Sequence, residues 1–230
     1  MTKKELTFAD ILDFQTKVIE WNQIFGINPD SKEYIGLYQQ LTFEECFKEN
    51  ELVESVEKGD MVGVADALAD NLFTCLQWTV LDGKPLTLDD KQWFDRVVKG
   101  NNMKTIALEQ YKDAVIKGDS YKAQSALLHL LESYSDMIDI VGAFNRVHES
   151  NLSKAVHESK DIDIAAEIAY IEAQGRYGDV TCVKSGKYWV FKAGQDVRDG
   201  VTFDKPKVVK SSFFLDLDDL GGLGCFVYKE

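Results

Sequence analysis

The sequence predicts a mainly α protein: a helical bundle over residues 1–175 followed by a small β-rich C-terminal appendage over residues 176–230. Three observations carry this expectation. Apolar residues recur at helical spacing through most of the first 175 positions. The chain is 45% hydrophobic with only three prolines, a composition that favours long helices. From Asp179 onward the pattern shifts to short β-type segments flanking a glycine turn.

The elements follow in order. Ile11, Phe14, Val18, Trp21 and Phe25 line one face of a first helix, capped by Thr7 or Asp10 and stopped by Gly26. Asp30 or Ser31 would cap a second helix over 32–57, and Lys58-Gly59-Asp60 breaks it before a third over 61–80. After the Asp82-Gly83-Lys84-Pro85 turn, helices are expected over 88–99, 105–117, 120–148 and 163–174, the last ending at Gly175. Val180–Val183 and Tyr188–Phe191 around Lys184-Ser185-Gly186-Lys187 read as a β-hairpin. Val208–Phe214 and Cys225–Tyr228 read as further short strands.

Charge narrows the function classes. The net charge of −13 argues against binding nucleic acid through phosphate neutralisation. Residues 1–175 carry −14 and residues 176–230 carry +1, so an acidic body is joined to a tail richer in bases. No stretch reaches the roughly 18 apolar residues of a membrane span, and the N-terminus lacks an apolar signal region, so a soluble cytoplasmic protein is expected. Cys46, Cys75, Cys182 and Cys225 are scattered without a Cys-x-x-Cys pair, as for free thiols in a reducing compartment. P-loop, Rossmann, zinc-peptidase and serine-hydrolase signatures are all missing.

The informative residues are carboxylates. Glu45/Glu49 and Asp66/Asp70 are two i,i+4 pairs, each stacked on one helix face. Asp66 and Asp70 border the stripe Val64, Ala65, Leu68, Leu72 and Phe73, where an acid is costly to desolvate without a cation. Two facing carboxylate helices make a hard oxygen site suited to Mg²⁺ or Mn²⁺; the competing reading is a set of solvated helix faces in an acidic protein. An internal echo accompanies them. Val56-Glu-Lys-Gly-Asp60 recurs as Val115-Ile-Lys-Gly-Asp119, and at the same offset Ser125, His129 and Lys104 stand where Asp66, Asp70 and Glu45 stand. If the echo is a true duplication, the chain holds two helix-turn-helix halves, only one of which kept its carboxylates.

The stretch Val56–Phe73 resembles the metal-binding helix of the all-α nucleoside triphosphate pyrophosphohydrolases, a superfamily that includes MazG-type enzymes, phosphoribosyl-ATP pyrophosphohydrolases, and dimeric dUTPases and dCTPases. Trp21–Ile27, Leu37–Glu49, the Phe144–Lys154 segment FNRVHESNLSK and the tail KPKVVKSSFF are similar to further family segments, in the family's order over 10–80 and 136–215; against that comparison, residues 82–135 read as an insertion or the degenerate second helical half. The chain departs from the Glu-Glu-x-x-Glu pattern. Lys48 stands where a run from Glu44 needs an acid, Cys46 follows Glu45, and Ala67 holds the Glu position of the second helix.

The resemblance implies that residues 1–175 form the catalytic part and cleave a (deoxy)nucleoside triphosphate between the α- and β-phosphates, giving a monophosphate and pyrophosphate. It implies Glu45, Glu49, Asp66 and Asp70 as Mg²⁺ ligands, with Mn²⁺ as a substitute. Glu44 would be a proton acceptor or alternative ligand, and Glu51 and Glu54 become candidates in a shifted register. Lys154, Asn151 and Ser150 would contact phosphate or sugar, although Lys154 equally suits a helix C-terminus. Trp21 and Asn22 would frame the base, although Trp21 also continues the core stripe. His148 would touch substrate or serve as a structural hydrogen-bonder, and Lys187, Lys205 and Lys210 are spare cations. A homodimer is expected, with one metal site per chain at or near the interface. The alternative from another class is a catalytically silent helical module that binds a nucleotide or a protein.

Overall fold

The computed structural model describes residues 5–29, 31–48, 51–98, 104–198, 201–203 and 207–228. It is mainly helical, with a small antiparallel sheet toward the C-terminus. The helices are α1 (Phe8–Phe25), α2 (Lys32–Phe43), α3 (Glu51–Lys58), α4 (Met61–Leu81), α5 (Lys91–Val98), α6 (Lys104–Lys117), α7 (Ser120–Tyr134), α8 (Ile140–Leu152) and α9 (Ile164–Ala173). The strands are β1 (Ala155–His157), β2 (Tyr177–Ser185), β3 (Tyr188–Arg198), β4 (Val201–Phe203) and β5 (Lys207–Val208). The chain divides into two compact units. One comprises 1–19, 28–148 and 222–230, the other 20–27 and 149–221.

Local chemistry explains the helix ends of the first unit. Thr7 and Asp10 form a capping box: Asp10 N donates to Thr7 Oγ1 (3.2 Å) and Thr7 N to Asp10 Oδ2 (2.9 Å). Ser31 occupies the N-cap of α2 without a side-chain bond, and Asp30 lies outside the described residues. Asp60 caps α4 by accepting from Val62 N and Gly63 N. α4 is the axis of this unit: it is buried along nearly its whole length from Val64 to Leu81, and α2, α3 and α7 pack against it. α6 packs on α7 and α2. Phe14 of α1 stacks on Phe144 of α8 at 4.0 Å, with Phe73 of α4 at 6.1 Å from the same ring.

The echo is structural as well as textual. Gly59 and Gly118 both take left-handed φ, at 70° and 72°, which glycine adopts without steric cost. Gly59 N donates to Val56 O as Gly118 N does to Val115 O, both at 3.2 Å. Asp60 N reaches Ser55 O at 2.8 Å, and Asp119 N reaches Ala114 O at 3.0 Å. Asp119 then caps α7 through Lys122 N (3.1 Å), as Asp60 caps α4. Two helix–Gly-Asp–helix hairpins of one design, α3–α4 and α6–α7, thus meet through α4 and α7.

The single helix expected over 32–57 is interrupted. Glu44–Lys48 form a π turn after α2, and Thr42 before it and Cys46 within it are both fully buried. The helix expected over 120–148 breaks between Tyr134 and Ile140. Asp139 Oδ1 accepts from Gly142 N (2.9 Å) and starts α8, while the C-terminal segment claims the freed backbone: Asp139 N donates to Phe226 O (2.7 Å) and Tyr228 N to Met137 O (2.8 Å). Cys225–Tyr228 is accordingly a short 3₁₀ turn with one bridge, Val227 to Ile138, rather than a strand. A Cβ at Gly142 would overlap Cδ1 and Cε1 of the Phe226 ring. Gly142→Ala should therefore lose about 1–3 kcal/mol although alanine favours helices, and melting should fall by several degrees. An unchanged midpoint would mean that the Phe226 ring moves aside without cost.

In the second unit β2 and β3 form the expected hairpin, registered by Val180 against Ala193 and Ser185 against Tyr188. The unexpected β1 joins the other edge of β3, with Val156 opposite Trp189, and β4 and β5 extend that edge. Val156, Val180, Phe191, Ala193 and Val209 cover one sheet face together with Ile171 of α9. Asp163 caps α9 through Ala165 N (3.0 Å) and Ala166 N (3.1 Å). Buried Glu167 of α9 accepts from Ser212 N and Ser212 Oγ at 2.5 and 2.7 Å and so anchors the segment after β5.

Candidate functional site

The carboxylate site lies in the first unit, on α4 and the π turn. An α-helix must bury one face to be stable, and α4 buries most of its circumference while leaving Asp66 and Asp70 half-buried on one side. Asp66 Oδ1 is shielded from solvent and has no hydrogen-bond donor. Burial raises the Asp66 carboxyl above its ordinary range, because the charged form loses hydration without compensation. One turn on, Thr74 Oγ1 donates to Asp70 O (3.1 Å) and holds that stretch of helix.

Glu44 and Glu45 are half-buried on the π turn, which packs against α2, α3 and α4. Gln40 Nε2 donates to Glu44 Oε1 at 2.9 Å and orients that carboxylate. Glu49 and the side chain of Glu51 lie outside the described residues, and Glu54 is exposed and paired with Lys58. Among the described residues, no three His, Cys, Asp or Glu side chains are gathered closely enough to hold a metal ion by themselves. Orphaned Asp66 nevertheless fits a divalent cation chemically, since it is a hard oxygen donor whose negative charge lacks a partner.

His148 falls in the same unit, near the carboxylate helix. Its ring lies 6.2 Å from Phe73, one turn beyond Asp70, and parallel to Phe144 at 6.4 Å. Its Nδ1 is buried without a partner. Burial first, and then the nearby Lys17 ammonium, lower its pKa to about 4, partly offset by Asp13, so it is neutral at pH 7. On α7, His129 at the echo position of Asp70 also has a buried, unpartnered Nδ1, and burial lowers its pKa.

The five residues assigned to substrate all fall in the second unit. Three are brought together: Trp21 Nε1 donates to Asn151 O (3.4 Å), and Lys154 Nζ donates to Asn151 Oδ1 (2.6 Å). Trp21 is buried against Phe25 with ring centroids 4.2 Å apart, a core position rather than an open stacking platform. Asn22 is also buried, and its Oδ1 lacks a partner. Ser150 Oγ donates to Leu215 O (2.9 Å). Of the spare cations, Lys187 is exposed at the hairpin tip, Lys210 Nζ sits 4.0 Å from the Phe214 ring centroid, and Lys205 lies outside the described residues.

Sequence reasoning passed over Lys17 and Asn145, which the fold joins at 2.7 Å across 128 positions. Lys17 also pairs with Asp13 at i,i+4 (2.6 Å), so in sequence it reads as an ordinary surface ion pair. It also missed Gln124 of α7, fully buried with neither amide atom hydrogen-bonded. A glutamine interrupting an apolar stripe was the only signal for it. All four cysteines are free, and burial raises the thiol pKa of Cys46 and Cys75, which keeps them protonated. No described helix is long and apolar enough to cross a membrane. No family model matches the chain, and comparison with curated proteins and with solved structures likewise finds no match.

Proposed function

We propose that the chain is a Mg²⁺-dependent nucleoside triphosphate pyrophosphohydrolase of the all-α type, working in the cytoplasm on (deoxy)nucleotides. The observation that carries this reading is Asp66 Oδ1, a buried carboxylate oxygen without a donor, on the helix whose sequence resembles the family's metal-binding helix. A buried unpaired carboxylate is costly, and a ligand role for it would account for that cost. Asp66, Asp70, Glu45 and Glu49 would hold the ion, which when bound supplies charge neutralisation and Lewis acidity at the α–β anhydride.

The remaining chemistry belongs to the chain. Glu44, whose Oε1 accepts from Gln40 Nε2, is assigned to take the proton of the attacking water. Lys154 is assigned to phosphate, with Asn151 and Ser150 as polar contacts and Asn22 at the base. Lys154→Ala should raise KM about tenfold for loss of one charged phosphate contact of roughly 1.4 kcal/mol. Normal kinetics with a lower melting point would reduce Lys154 to a partner of Asn151. Pyrophosphate release across a panel of canonical and deoxy triphosphates tests the activity itself, and absence of release with every substrate would refute it. The departures at Lys48 and Cys46 favour the second reading, a silent nucleotide- or protein-binding module.

Assembly as a homodimer is proposed through α2 and α6. Gly36, Gln39, Gln40, Phe43, Val115 and Ile116 line a cavity of about 240 Å³ there, and Leu37 and Ile116 are exposed beside it. Gln40 belongs to both this cavity and the Glu44 contact. Sedimentation at micromolar concentration should show a dimer. A single 26 kDa species would instead assign the α6–α7 hairpin as the chain's own second half.

A further inference from the structure

A polar cluster sits above the aromatic layer where α1, α4 and α8 meet. Phe14, Phe73 and Phe144 form that layer. Lys17 leaves α1 above Phe14, its Nζ 6.0 Å from the ring centroid, and donates to Asp13 Oδ2 (2.6 Å) and Asn145 Oδ1 (2.7 Å). Because Asn145 accepts through Oδ1, its Nδ2 hydrogens are left to donate elsewhere. His148, one turn further along α8, lies against Phe73 and Phe144 with Nδ1 buried and unpartnered. Phe73 in turn follows Asp70 by one turn of α4. Three nitrogen groups from two helices therefore lie beside the Phe14–Phe144 stack, with Lys17 bonded to Asn145 and within electrostatic reach of His148. Asp13 is the acidic neighbour, more than half exposed and already paired with Lys17.

We propose that Lys17, Asn145 and His148 form an oxyanion subsite that takes the pyrophosphate end of the substrate; only the identity of that anion rests on the hydrolase reading. Lys17 contributes the fixed charge, Asn145 Nδ2 a neutral donor, and His148 a ring that gains a proton when a polyanion arrives. The last point follows from electrostatics. Burial and the Lys17 ammonium keep His148 neutral in the free protein, and an anion between the two groups reverses that balance by favouring imidazolium. Asp13 turns outward as the anion replaces it on Lys17.

The test uses inorganic pyrophosphate without metal and follows the imidazole resonances by NMR against pH. The chain has three histidines, and His148→Gln assigns the signal. Millimolar pyrophosphate should raise the His148 midpoint by at least one pH unit, a tenfold change in proton affinity, while equal ionic strength of chloride leaves it in place. Lys17→Met, which keeps cover over Phe14, should abolish the shift at an unchanged helical content. A His148 midpoint that ignores pyrophosphate, or a shift that persists in Lys17→Met, overturns the subsite. Pyrophosphate binding in a protein that cleaves no triphosphate would keep the subsite and reject the hydrolase. Cleavage with an indifferent His148 would do the reverse.

Discussion

Asp70→Asn is expected to lower pyrophosphate release at least about 100-fold, equivalent to roughly 2.7 kcal/mol of lost transition-state stabilisation. The amide keeps the size of the carboxylate but removes the negative charge that a divalent cation requires. Asp70 is half-buried on a helix whose stability comes from Val64, Leu68, Leu72 and Leu76 on its other sides. Helical content should therefore stay at the wild-type level by circular dichroism, which separates a lost ligand from a lost fold. Turnover equal to wild type would remove Asp70 from the site and, with it, the metal role of the α4 face.

The second large effect concerns stability and metal together. Burial holds the Asp66 carboxyl above the usual range, so the native state binds its proton more tightly than the unfolded chain does. Between the ordinary carboxyl pKa and the raised one, the folded state carries more protons, and stability falls as pH rises through that window. At neutral pH without metal, Asp66→Asn removes an unpaired buried charge, and its melting midpoint should rise by a few degrees with a flatter pH dependence. Adding Mg²⁺ at about 100 times its Kd should stabilise the wild type by about 2.7 kcal/mol, or roughly 5–11 °C for a chain of this size. The variant should lose most of that gain. No midpoint shift of the wild type at millimolar Mg²⁺ or Mn²⁺ would sink the metal site and leave the silent binding module as the better reading.

Elements whose signals are local were legible in the chain itself. The stripe from Ile11 to Phe25 with Thr7 and Asp10 ahead of it specifies α1, and Gly-Asp pairs end one helix and cap the next at both 59–60 and 118–119. The Lys184–Lys187 turn specifies the β2–β3 hairpin. The acidic pair on α4 was equally visible, because a carboxylate bordering an apolar stripe is a conflict that any reader of the sequence can see. In each case the deciding contacts span five residues or fewer, within reach of a capping side chain or one helical turn.

Tertiary structure decided the rest, through contacts that no local pattern encodes. The π turn at Glu44–Lys48 interrupts the expected helical repeat where the chain packs against α2, α3 and α4. The break before α8 exists because residues 226–228 pair with residues 137–139, some ninety positions away. Ala155-Val156-His157 is too short to announce a strand and becomes one only when β3 offers its edge. The same holds for the candidate sites. That Asp66 Oδ1 lacks a donor depends on what α4 buries, and Lys17 is joined to Asn145 only when α1 and α8 pack through Phe14 and Phe144. Hydrophobic periodicity determined which faces turn inward; which polar atoms those faces leave stranded was decided only by the packing.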